Sequence, residues 1–437
     1  MSARGAARQR SNAVGGLGVL SVLSRVHRPV ASVAAMLLLV SITLACGSRD
    51  SGAVTLKVWG LGREGEVLKE LLPEFERRHP DIRVTVQQIP WTAAHEKLLT
   101  AYVGDATPDV AQIGNTWLPE FVALGALAPL TADSQDYFPG IWRTNEIGGT
   151  LYGIPWYVDT RVIFYRSDLL AAAGYKTFPT LWTDWRQAMV KVRGDHAAIL
   201  LALNEWAGPI VLGMGTRAPF LTPDGMHGAF EEPRFRRAFA FYVDLFRGGL
   251  APAVNNAQVA NRYQSFAAGD FSMILSGPWD IGELSRRLPA SLAGKWMTAP
   301  MPAPDPPAPG LSLAGGSSLA IFRRSAHQTA ARALIAYLSE PAVQVRFYTL
   351  TGDLPARESA WSAPVLDTNR YAAAFREQLR HVAPTPQVPE WEQIVTAVAR
   401  YAEEAVRGDM TEDQALEALD RDVDRMLEKR RWLARAH

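Results

Sequence analysis

Cysteine is almost absent: the 437 residues contain one, Cys46. Beyond it, disulfides and thiol catalysis are excluded. Charge of one sign is lacking too, with 45 Lys and Arg against 44 Asp and Glu and a formal net charge of +1. The two signs are interspersed after residue 60. That balance offers no general field for nucleic acid or acidic membrane, so no nucleic-acid partner is expected. Three catalytic patterns are also missing. "HEKLL" from His95 has no second His for an H-E-x-x-H zinc helix, and "GLGREG" (60–65) lacks the strand–helix context and Lys of a P-loop. No G-x-S-x-G elbow and no internal repeat occur. Neither a metal nor a cofactor is expected.

Ordinary globular content remains, 48% apolar and 20% charged, in a chain long enough for more than one core. Arg25, His27 and Arg28 precede "ASVAAMLLLVSITLA" (31–45), whose fifteen residues suit a secretory h-region better than the ~20 of a membrane span. "TLAC" then meets the polar "GSRDSG". This junction resembles a bacterial lipobox, with Ala45 before the cysteine and Thr43 where Leu is usual. The expectation is a leader and signal peptide over 1–45, a lipid attached at Cys46, and a tether over 46–53. The first 24 residues exceed what a signal peptide needs, so translation is expected to start near Val22 or Val26.

Period-2 and period-3.6 patterns then alternate. "VTLKVWGLG" (54–62) reads as a strand, and Val67, Leu68, Leu71, Leu72 and Phe75 mark a helix stopped by Pro80. "IRVTVQQIP", a helix from "HEKLL" and the buried "DVAQIG" follow. That βαβαβ order predicts an α/β domain with a largely parallel sheet. Later come a helix over 178–194 with Thr180 or Thr183 as N-cap, an amphipathic helix in "FRRAFAFYVDLFRGG", and a Pro-rich surface loop at 299–310. The chain finishes in helices.

Five stretches resemble the extracellular solute-binding proteins of carbohydrate ABC importers (family 1), the group of maltose-, trehalose- and glycerol-phosphate-binding proteins. They are "LPEFERRHPDIRVTV", "LYGIPWYVDTRVIFYRSDLLAAAGY", "SFAAGDFSMILSGPW", "LAGGSSLAIFRRSAHQTAARALIAYLS" with "GDLPAR", and "GDMTEDQALEALDRDVDRML". The resemblance implies a type II periplasmic-binding-protein fold. Each of its two lobes is a mixed, mostly parallel sheet flanked by helices, and ligand binds in the cleft between them. Lobe one is expected over 54–157 plus 315–352, and lobe two over 158–314 plus 353–437. It also implies a monomer held outside the cytoplasm by its lipid. Its partners would be a sugar and the transmembrane subunits of a permease with a separate ATPase, and closure of the lobes would deliver the sugar.

A sugar offers hydroxyls on its rim and C–H groups on its faces, so its site needs aromatic plates and polar side chains. Six of the thirteen tryptophans, Trp59, Trp91, Trp117, Trp156, Trp206 and Trp279, fall at strand ends or in loops. The resemblance carries ligand contact onto Tyr157 and Asp159 of "YVD", Asn115 and Trp117 of "GNTW", and Trp279 of "GPW". Glu64 joins them as a hydroxyl acceptor, Gly315 and Gly316 as backbone donors, Trp206 as a substitute plate where relatives have an aromatic at Ser317, and Arg357 of "LPAR". Arg161 reads as structural. Trehalose, maltose or a related α-linked disaccharide is the expected ligand. Glycerol phosphate or a phosphodiester is the alternative, as is a glycan hydrolase using a carboxylate pair such as Glu64 and Asp159.

Overall fold

The computed structural model describes residues 53–435 except 256 and 260. The expectations for the leader, the tether and lipidation at Cys46 lie outside the described residues.

The alternating 54–61 stretch forms strand β1 (Val54–Leu61), whose Leu56, Val58 and Leu61 are buried. It runs directly into helix α1 (Gly62–Arg78). The strand–helix context that "GLGREG" was expected to lack is therefore present, without the Lys. The helix buries its Val67, Leu68, Leu71, Leu72 and Phe75 stripe and ends one residue before His79. Next come β2 (Ile82–Ile89), α2 (Trp91–Val103), β3 (Val110–Gly114) and the short α3 (Leu118–Ala123). β1 pairs parallel with both β2 and β3, as the βαβαβ pattern predicts.

The "IPWYVD" segment is β4 (Ile154–Asp159), and "VIFY" is β5 (Val162–Tyr165) in a different sheet. That second sheet adds β6 (Ile199–Leu200), β7 (Met273–Ser276) and β8 (Met297–Ala299), in the order β8-β5-β7-β6. Its helices include α4 (Pro233–Arg247) and α5 (Trp279–Arg287). The chain then returns to the first sheet as β9 (Gly315–Ile321), continues through α6 (Pro341–Thr351), and adds β10 (Leu354–Pro355). The first sheet therefore runs β10-β4-β9-β3-β1-β2. Helices α7 (Trp391–Arg407) and α8 (Glu412–Met426) close the second lobe, packing Trp391 and Val398 into a core with Phe230, Phe235 and Tyr242.

Three expectations change. Neither sheet is mostly parallel: β10–β4, β4–β9 and β9–β3 pair antiparallel in the first and β8–β5 and β5–β7 in the second, because β9 and β5 each enter their sheet from the other lobe and not through a βαβ crossover. The lobe edges move, because Leu354 pairs with Val158 and Pro355 with Tyr157. Val158, Asp159 and 354–355 thus belong to the first sheet, not to the second lobe. The helix expected to start at Thr180 or Thr183 has Leu181 at its N-cap, with no side-chain cap. Trp182 Nε1 instead donates to the Pro302 carbonyl at 2.9 Å, so packing on the Pro-rich loop fixes that end.

Thr160–Arg161 joins β4 to β5, and Ala314 leads into β9. These two crossings lie side by side because β4 and β9 pair antiparallel, Gly315 opposite Asp159 and Gly316 opposite Val158. Gly316 has φ +122°, and a Cβ there would stand 2.3 Å from the Tyr157 carbonyl oxygen. Only glycine permits both that dihedral and that approach. At Gly315 a Cβ would meet the Asp159 carbonyl oxygen at 3.1 Å, a milder contact. Gly316→Ala is therefore expected to cost about 2–4 kcal/mol in a denaturant melt and Gly315→Ala clearly less. Equal effects would contradict this placement.

Candidate functional site

Both crossings open into a cavity of about 540 Å³ between the lobes. The first lobe contributes Glu64, Trp91, Asn115, Thr116, Trp117, Tyr157, Asp159, Gly315, Gly316 and Asp353, and the second Arg161, Trp206, Trp279 and Glu392. Most of these sit where a strand ends or a helix begins. Trp279 opens α5, and Trp117 and Trp206 occupy the N-caps of α3 and of the helix Ala207–Gly215.

Glu64 lies in the first turn of α1, where the helix dipole favours a carboxylate. Its Oε1 accepts from the Tyr157 hydroxyl at 3.0 Å and from Trp91 Nε1 at 3.2 Å. Behind Tyr157, Gln112 Nε2 reaches the phenolic oxygen at 3.4 Å and Ser317 Oγ at 3.3 Å. Gln112 Oε1 accepts from the Leu61 amide at 2.8 Å, tying this network to the end of β1. Asn115 donates its backbone N–H to the Gly316 carbonyl at 3.1 Å, and its side-chain oxygen accepts from Ser318 at 2.9 Å. Its Nδ2 is buried without a protein partner.

On the other side Arg161 forms an ion pair with Asp159 and lies over the Trp279 ring, 4.7 Å from its centroid. One region of that indole is thus occupied by a guanidinium. Glu392, at the start of α7, stands close to His95 and Glu120 of the first lobe. His95 Nε2 and Glu120 Oε2 are 2.7 Å apart, and that hydrogen bond, opposed by burial, raises the imidazole's pKa.

Burial pushes the carboxyls of Glu64, Asp159 and Glu392 above their ordinary range, although Arg161 opposes this at Asp159 and Tyr157 and Trp91 oppose it at Glu64. Asp353 is pushed up to about 8, by burial first and then by Glu64. Tyr157 is raised well above the ordinary phenol value by burial, with Glu64 and Asp353 adding to it.

Nine of the ten site residues expected from sequence line this one cavity. Arg357 does not. Its Nε donates to the Ser339 carbonyl at 2.9 Å, and its guanidinium lies 3.6 Å from Asp136 and 4.6 Å from the Tyr137 centroid. Four residues beyond Asp353, it is turned away from the cleft into a structural ion pair. Arg161 moves the opposite way, from a structural reading into the cavity. Trp91, Thr116, Asp353 and Glu392 were missed. A signal existed for three: Trp91 was among the six loop tryptophans, Thr116 lies in "GNTW", and Asp353 lies in "GDLPAR". Glu392 had none, since "PEWEQIV" reads as helix alone. Of the six tryptophans, Trp59 and Trp156 are buried in cores instead, Trp156 with its ring 4.3 Å from that of Phe347.

Asp353 carries a pH prediction. An acid whose pKa rises from 3.8 to about 8 on folding keeps a proton that the unfolded chain has released. Stability therefore falls as pH rises between those values, by at most about 1.4 kcal/mol per pH unit for this group. Asp353→Asn should flatten that decline in melts between pH 5 and pH 8. An unchanged slope would show that the carboxyl titrates normally.

The profile of bacterial extracellular solute-binding proteins matches residues 59–345. The sugar-binding protein MalE of Xanthomonas citri is 44% identical in sequence and superposes with a TM-score of 0.85, over 88% of this chain and 100% of that one. The galactooligosaccharide-binding protein of Bacillus subtilis is 26% identical over 86% of this chain and 92% of its own. The diacetylchitobiose-binding protein DasA of Streptomyces coelicolor is 24% identical over 79% and 83%. Two α/β lobes around one cleft, a match over more than half its length and a 44% identical sugar-binding relative together show that this chain belongs to the bacterial extracellular solute-binding proteins of carbohydrate type.

Proposed function

We propose that this chain binds an oligosaccharide in the interlobe cavity and delivers it to the membrane subunits of an ABC importer, without covalent chemistry. Maltose, trehalose or a related α-linked disaccharide is the ligand we favour, because the most similar relative described above is a MalE. Relatives named for galactooligosaccharide and diacetylchitobiose mark the other sugars to be tested. A lipid at Cys46 would hold the monomeric protein at the outer face of the membrane, next to the permease.

The observation that carries this reading is the composition of the cavity. Four carboxyl groups, those of Glu64, Asp159, Asp353 and Glu392, surround indoles from both lobes. Carboxylates and a fixed phenol match hydroxyls, and indoles match the C–H faces of a pyranose. A phosphate finds no comparable match. Among the described residues Arg161 is the only Lys or Arg lining the cavity, and it is already paired with Asp159. Glycerol phosphate is therefore disfavoured. Closure of the lobes would shield the sugar and form the surface that the permease reads.

Thermal-shift titration with maltose, trehalose, galactobiose, diacetylchitobiose and glycerol phosphate tests the reading. At a hundred times Kd the bound sugar should add about 2.7 kcal/mol of stability. A response to glycerol phosphate alone would overturn the ligand class, and monosaccharide released from any disaccharide would overturn the absence of chemistry. Asp159→Ala should weaken binding of the responding sugar by about 1–3 kcal/mol while leaving a cooperative melt. Retained affinity would remove Asp159 from the site.

A further inference from the structure

Apart from the crossings, the two lobes also meet at a cluster of three ionisable side chains. His95 comes from α2 and Glu120 from α3, both in the first lobe, and Glu392 from the first turn of α7 in the second. Trp391, wholly buried in the second lobe's core, fixes Glu392 to that lobe. The imidazole is fixed to the other. Its Nε2 lies 2.7 Å from Glu120 Oε2, and its ring packs 5.1 Å from that of Trp117 and 6.2 Å from that of Phe121. A movement of the lobes therefore parts Glu392 from the pair without separating His95 from Glu120.

Charge decides whether the three groups attract. The charged groups that face His95 are Glu120 and Glu392, and those that face Glu392 are His95 and Glu120. Thr116 and Trp117 complete the surroundings of Glu392 as neutral donors, and its Oε1 is buried without a partner in the protein. Among the described residues neither carboxyl has an ion pair with a lysine or arginine. A protonated imidazole carries N–H donors on both nitrogens and one positive charge for the two carboxylates. A neutral one leaves two negative charges, one from each lobe, facing each other. The His95 and Glu120 side chains are only 29% and 24% exposed, so salt and water screen that repulsion incompletely.

We propose that His95, Glu120 and Glu392 form a proton-operated latch between the lobes. With the imidazole protonated, its charge joins carboxylates of opposite lobes; without that proton the carboxylates repel and the lobes part. The Glu120 hydrogen bond, opposed by burial, raises the His95 pKa above 6.5 whether or not the lobes meet, and the charge of Glu392 adds to it only when they do. Joined lobes therefore hold the proton more tightly. Their advantage is complete below the His95 pKa of the parted lobes and is lost as pH rises through that of the joined ones. Burial raises the Glu392 carboxyl too, opposed by Thr116 and His95, which also weakens joining as pH rises above 4.5. Both groups act in the same direction, so joined lobes belong to mildly acidic conditions and parted lobes to alkaline ones. The latch goes beyond the sugar reading, since it acts with or without a ligand.

Small-angle scattering of the sugar-free protein between pH 6 and pH 9 tests the latch without any ligand. The radius of gyration should be smallest at the acidic end and rise as pH passes above 6.5. His95→Gln should hold the larger radius across the range, because Glu120 and Glu392 then repel throughout. Glu120→Gln should hold the smaller one, because no second carboxylate remains to repel Glu392. Neither residue lines the sugar cavity, and loss of packing would not move two touching residues in opposite directions. Calorimetry with the responding sugar adds a second readout: affinity at pH 8.5 should be about five-fold or more weaker than at pH 6. Whatever Asp353 contributes to that profile persists in His95→Gln, so the difference between the two profiles belongs to His95. A radius that does not change with pH, or variants that reproduce the unsubstituted profile, would overturn the latch while leaving the sugar reading intact. If no sugar binds at any pH the sugar reading falls, and the scattering result still decides the latch.

Discussion

The antiparallel pairing of Ile154–Asp159 with Gly315–Ile321 is the contact on which the cleft depends. Both strands lead to or from a passage between the lobes, so their pairing brings two passages to one place. It sets Tyr157 and Asp159 beside Gly315 and Gly316, and it brings Asn115 in through the amide bond to the Gly316 carbonyl. Leu354–Pro355 adds to the same strand and carries Asp353 to the rim. Without the glycine at 316 the two backbones could not approach so closely, and the site would lose its floor.

Electrostatics follow from that floor. Carboxylates are gathered where solvent is scarce, and each is handled differently. Asp159 has the Arg161 guanidinium. Glu64 has the helix N-terminus and two neutral donors, Tyr157 and Trp91. Asp353 has no cation beside it among the described residues and keeps its proton toward neutral pH. A carboxyl that retains its proton can donate to a hydroxyl through its O–H and accept from one through its carbonyl oxygen. Such groups suit a neutral ligand whose hydroxyls both donate and accept. Across the lobes, Glu392 stands opposite the His95–Glu120 pair, so the polar lining extends to the far wall.

What could be read from the sequence was set by range. Local alternation and helical spacing were enough for β1, α1, β2 and β3, because each depends on its own apolar stripe. Tyr157, Asp159 and the Gly315–Gly316 pair were legible because they end or begin strands inside long recognisable stretches. Leu354–Pro355 was not, since two residues are too few for alternation to show, and the lobe boundary was misplaced as a result. That Arg161 lines the cavity and Arg357 does not was hidden for a similar reason. Which way a guanidinium turns depended on Asp159, Trp279, Asp136 and Ser339, whose proximity the sequence does not express. Glu392 reached the cavity only through the packing of the whole helix Trp391–Arg407.

Tyr157 and Glu64 act as one unit, the phenol holding the carboxyl in position to accept from a sugar hydroxyl. A double-mutant cycle on affinity for the responding sugar, using Tyr157→Phe, Glu64→Gln and the pair, tests it most directly. The double variant should lose less than the sum of the single losses, with a coupling of about 0.5–3 kcal/mol. Losses that simply add, or single variants with unchanged affinity, would contradict it.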